Sequence, residues 1–103
     1  MSDLDIINQL EHLITVADQM KSSYFWHAPA TARERRDYEK RNSVPAFRWE
    51  ENGHTWAAAF TVRCSTSKIY AKGEYYRDGN KTTLTAIRNS LQRMRSVEGG
   101  YQS

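Results

Sequence analysis

The chain has one cysteine, Cys64, so no disulfide can form within its 103 residues. No Cys/His cluster has the spacing of a zinc framework, and none of the three histidines (His12, His27, His54) sits in a metal-ligand pattern. Prolines number two and glycines five, which excludes collagen-like and Pro/Gly-rich low-complexity chains. Long hydrophobic runs are missing as well. The longest are Trp56-Ala57-Ala58-Ala59-Phe60 and Tyr24-Phe25-Trp26, far short of the roughly 18 residues of a membrane span. Met-Ser-Asp-Leu-Asp at the start is acidic and lacks a basic n-region, so we expect no secretory signal and a cytoplasmic location. Catalytic signatures (G-x-S-x-G, P-loop, H-E-x-x-H) are absent, and Glu50-Glu51 beside a hairpin reads as a solvated pair rather than a catalytic dyad. The expectation is a non-enzymatic protein with no cofactor, no metal site and no membrane partner.

What is present supports a folded domain. Hydrophobic residues make up 39% and aromatics 12%; the aromatics compensate for a modest apolar fraction because each buries about 150–250 Å². Net charge is +3 but unevenly placed. Residues 1–30 hold Asp3, Asp5, Glu11 and Asp18 against Lys21 alone, whereas residues 31–103 hold 14 Lys/Arg against 8 Asp/Glu. A polyanion would therefore meet the second part of the chain.

Leu4, Ile7, Leu10, Ile14, Ala17 and Met20 recur at helical spacing, with Leu13 widening the stripe, and predict an amphipathic helix over 3–21 capped by Ser2 or Asp3. Thr31 and Glu34 form a capping-box pattern for a second segment, 31–43, in which only Ala32 and Tyr38 are apolar. Such a segment is a solvated helix or a linker. From Val44 the period changes to two. Phe47 and Trp49 alternate with Arg48 and Glu50, then Asn52-Gly53 signals a hairpin. Trp56, Ala58, Phe60, Val62 and Cys64 share one face of the next strand. Ile69, Ala71, Gly73 and Tyr75 do so on a third strand, whose opposite face carries Lys68, Tyr70, Lys72, Glu74 and Tyr76 before Arg77-Asp78-Gly79-Asn80 ends it. Leu84, Ile87, Leu91 and Met94 predict a last helix, with Arg88, Arg93 and Arg95 on its outer side. The expected fold is α+β: a two-layer sandwich in which a three-stranded antiparallel meander is covered by N- and C-terminal helices. Residues 1–96 form its single domain, and 97–103 a frayed tail.

Three local patterns bear on family. Pro45-Ala46-Phe47 opens the first strand, Gly53 is followed by Trp56 and Phe60, and Ala86-Ile87-Arg88-Asn89-Ser90-Leu91 lies in the last helix. Together, over residues 45–91, they resemble the double-stranded-RNA-binding domain family, whose order is α-β-β-β-α. The resemblance implies that fold and a nucleic-acid partner. The family's Lys-Lys-x-x-Lys stretch at the start of the last helix falls here on Gly79, Asn80 and Thr83, leaving Lys81 as the one cation. Trp56 stands in the place of the turn histidine, and the long segment 22–43 separates the first helix from the first strand.

Two classes of function follow. In the first, the chain contacts nucleic acid through a basic, tyrosine-bearing surface made of Lys68, Tyr70, Lys72, Lys81 and Arg88, where cations neutralise phosphates and rings stack on bases. In the second, it is a small protein-binding inhibitor or adaptor, of phage accessory or anti-defence type, that presents Tyr24, Phe25, Trp26, Arg35 and Arg36 to a larger protein. The wide stripe of the first helix leaves a homodimer open. Cys64, on the apolar strand face, reads as a small buried hydrophobe, and His54 as an ordinary surface residue.

Overall fold

A computed structural model describes residues 2–22 and 27–99. The order is α1 (Asp3–Ser22), α2 (Ala32–Asn42), β1 (Val44–Glu51), β2 (His54–Cys64), β3 (Ile69–Arg77), β4 (Asn80–Lys81) and α3 (Leu84–Gly99). The strands form one antiparallel sheet in the order β1-β2-β3-β4, with the helical layer on one face. This is the α+β two-layer sandwich read from the periodicity, with one strand more. Among the described residues no helix is long and apolar enough to cross a membrane.

Each helix begins where a side chain satisfies an exposed backbone donor. Ser2 Oγ accepts the Asp5 N–H at 3.2 Å, and the Asp5 carboxylate accepts the Ser2 N–H in return. Thr31 Oγ1 accepts the Glu34 N–H at 3.1 Å, and Thr83 Oγ1 accepts that of Ala86 at 3.2 Å. α1 then buries Ile6, Ile7, Leu10, Leu13, Ile14, Val16, Ala17 and Met20. Apart from Leu4, which is 61% exposed in the first turn, the stripe that left a homodimer open is occupied within the chain.

The sheet's inner face is aromatic at its centre. Phe47 stacks on Trp49 with centroids 5.1 Å apart, and Trp49 on its cross-strand partner Trp56 at 6.2 Å. Val62, Ile69, Ile87, Leu91 and Met94 complete the core. Gly73 has a packing reason. A Cβ there would overlap the phenol of Tyr75, whose ring lies across it on the same face of β3.

Two tight turns shape the far end of the sheet. Asn52 and Gly53 have φ of 55° and 75°, and Asp78 and Gly79 have 52° and 82°. Both pairs fit the two-residue hairpin turn that Asn-Gly and Asp-Gly favour. The second turn sends the chain back as β4, where Lys81 pairs with Tyr76 and Asn80 with Arg77. Arg77-Asp78-Gly79-Asn80, expected to end the strand, instead turns it into β4, which went unexpected because a two-residue strand has no periodicity to detect. The last helix also runs further than expected, through Val97 to Gly99, so the helix takes in the start of the segment read as a frayed tail.

Candidate functional site

The sheet's outer face carries the surface of interest. Its register follows from strand alternation: Arg48, Ala57, Tyr76 and Lys81 lie side by side across the four strands, while Thr61 faces Lys72 and Arg63 faces Tyr70. In its middle β2 contributes only small side chains (Ala57, Ala59 and Thr61), which form a low floor, with Arg63 of the same strand at one end. Tyr70 is 57% exposed at one end of β3, and Tyr76 is half-buried at the other. The tyrosines are six residues apart on one strand, or about 20 Å. Around the floor stand Arg48, Arg63, Lys72 and Lys81, against Glu50 and Glu74. Lys72 lies 3.6 Å from Glu74, yet its side chain remains 77% exposed, so this pair is weak.

Of the five residues singled out for nucleic-acid contact, the structure brings Tyr70, Lys72 and Lys81 onto this face. Lys81, the lone lysine where the family resemblance looks for a cluster, is on β4 beside Tyr76 and precedes the cap of α3. Lys68 lies in the β2–β3 turn, exposed, with its N–H on Ser65 Oγ and a backbone bridge to His27. Arg88 is elsewhere. It belongs to the helical layer, where it pairs with Asp18 of α1. Arg93 and Arg95, its neighbours on α3, are likewise engaged, with Glu51 and Glu11.

The residues considered for a protein partner divide differently. Tyr24, Phe25 and Trp26 lie outside the described residues. Arg35 turns inward, its guanidinium donating to the carbonyls of Pro29 and Ala30 at 3.1 and 3.0 Å. Arg36 stays on the solvent side of α2. None of the residues of α2 is buried, and yet it is a firmly attached helix. β2 outruns β1 beyond Phe60, leaving bare backbone along its last residues. There the Glu39 carboxylate accepts the Cys64 N–H at 2.6 Å, and Ser43 Oγ accepts the Val62 N–H at 3.0 Å. Tyr38 packs on the core beside Met20. α2 thus shields a sheet edge with side-chain acceptors. Cys64 itself is half-buried, and its thiol is pushed up by that burial and by the nearby Glu39 carboxylate.

Two features at the turn end escaped the sequence reading. Glu51 is not solvated: its carboxylate is 10% exposed and takes two bonds from Arg93, at 2.6 and 2.8 Å. That guanidinium holds the Glu51 carboxyl below the usual carboxylate range, with help from Ser90, while Arg93 is pushed up in turn. Ser90, fully buried, accepts the Trp49 indole N–H at 2.9 Å, so β1 and α3 share one polar network. Nor is His54 a bare surface residue. Its Nδ1 lies 2.6 Å from Asp78, which also accepts the Thr55 N–H at 2.9 Å, latching one turn to the other. Asp78 is lowered, chiefly by the Thr55 amide and then by His54. Partner residues more than twenty positions away gave no local signal; the Asp-Gly pair was the one available clue.

Among the described residues no three His, Cys, Asp or Glu side chains gather as a metal site would require. Comparison with protein-family models, with curated proteins and with solved structures finds no match.

Proposed function

We propose that this chain is a nucleic-acid-binding module and that the outer face of its sheet is the contact surface. The observation that carries the reading is the construction of that face. A floor of Ala57, Ala59 and Thr61 is bordered by Tyr70 and Tyr76 and ringed by Arg48, Arg63, Lys72 and Lys81. Small floor residues leave the ring faces accessible, and aromatic rings on a sheet stack bases at about 1–3 kcal/mol each. The cations supply the sequence-independent attraction to phosphates. This arrangement recasts the resemblance to the double-stranded-RNA-binding family, since contact falls on the open sheet face and not at the start of α3.

Fluorescence anisotropy with labelled RNA and DNA strands at about 50 mM salt tests the reading. Expected is micromolar or tighter binding that weakens steeply toward about 200 mM. Tyr70→Ala with Tyr76→Ala should weaken it about tenfold or more, at little change in salt dependence. No anisotropy change at tens of micromolar protein would overturn it.

A further inference from the structure

The inner side of α2 is taken up by the chain itself. Arg35 holds the carbonyls of Pro29 and Ala30, and Glu39 and Ser43 cover the edge of β2, while Glu34 closes the cap with Thr31 at the exposed first turn. These contacts fix which side of the helix faces solvent. On that side Arg33, Arg36 and Lys40 recur at spacings of three and four, so they form one stripe, with Asp37 as its single acid. Along the sequence this segment sets five cations against three acids; the fold turns Glu39 toward β2, away from the cations, and holds the exposed Glu34 in the cap. The helix lies alongside Val62–Cys64, and the outer-face residue of that stretch is Arg63, the cross-strand neighbour of Tyr70.

We propose that α2 is the second half of the same footprint: Arg33, Arg36 and Lys40 grip the phosphates of a single-stranded nucleic acid that passes over the Arg63–Tyr70 end of the sheet. The inference rests on the sheet-face reading above. Its ligand is single-stranded for two reasons. Tyrosines can stack only on unpaired bases. A path that leaves the sheet face and turns over its edge onto a helix within a few tens of ångströms also needs a flexible backbone, whereas duplex DNA bends easily only over about 50 nm.

The experiment uses the full chain and oligothymidylate strands of about 4 and about 16 nucleotides, the range such modules occupy, titrated between about 50 and 200 mM salt. Arg33→Ala, Arg36→Ala and Lys40→Ala combined should lower the slope of log affinity against log salt by about 2, from three phosphates at about 0.7 each. The triple variant should also lose most of the wild-type preference for the longer strand, and Asp37→Asn should tighten binding to it. Alanine suits these exposed helical positions, and circular dichroism checks that the fold is kept. If the wild type binds but the triple variant keeps its slope and length preference, α2 is not part of the site and the sheet-face reading stands. Equal or tighter binding of a duplex overturns the single-strand path in the same way. If the wild type binds no nucleic acid, both fall.

Discussion

α1 and α2 follow one another in the chain and are held in opposite ways. α1 places eight hydrophobic side chains in the core, Leu10 and Leu13 with no exposure at all. α2 buries none of its residues fully and stays in place through the partly buried Tyr38 and through side-chain bonds to backbone at Cys64, Pro29 and Ala30, with Ser43 just beyond it on Val62. A helix attached by burial gives up one face to the core. A helix attached at a sheet edge by one ring and a few polar atoms keeps most of its surface for other use. The difference separates a structural element from one able to present charge.

The comparison can be broken most severely at α1. Leu13→Ala should cost about 2–5 kcal/mol of global stability, read as a lowered midpoint in denaturant with an unchanged slope. A smaller loss is expected in the network joining the helical layer to β1. Ser90→Ala leaves the buried Trp49 N–H without its acceptor, worth about 1–3 kcal/mol by thermal or chemical unfolding.

Acid should act at the same end of the sheet. Glu51 and Asp78 both ionise below the ordinary carboxylate range in the folded chain, so the unfolded chain binds more protons than the native state. Their stabilisation is complete above about pH 5 and is lost as pH falls through the depressed folded values. The thermal midpoint should fall on acidification, and Glu51→Gln with Asp78→Asn should flatten that dependence. At α2 the effect is more local. Glu39→Ala should cost about 0.5–1.5 kcal/mol and speed hydrogen exchange at the Cys64 amide far more than in the centre of β2. Arg36→Ala, on the solvent stripe, should change stability by less than about 0.5 kcal/mol. A large loss there would show that α2 is held by its charges and would remove the contrast.

Much of this organisation was legible in the residues. The helical stripe from Leu4 to Met20, the alternation through β2 and β3, the Asn52-Gly53 turn and the Thr31–Glu34 cap each depend on neighbours within a few positions, and the structure follows them. The outer-face placement of Tyr70 and Lys72 followed from the same period. What stayed hidden depends on long-range pairing. Arg88, Arg93 and Arg95 read as exposed cations, yet their partners Asp18, Glu51 and Glu11 are 42 to 84 positions away for the latter two and 70 for Arg88. β4 was missed because two residues are too few for a period. The solvent stripe of α2 could not be separated from its acids without knowing that Glu39 turns toward β2.

One small gap on β3 has a consequence for evolution of the chain. Gly53 and Gly79 are held by backbone conformation, and asparagine or aspartate could stand in for them at modest cost. Gly73 has no such backbone signature; it is a seat moulded to a neighbour's ring. A side chain at 73 would have to displace the outer end of that ring, so two positions that look independent on paper are linked through it.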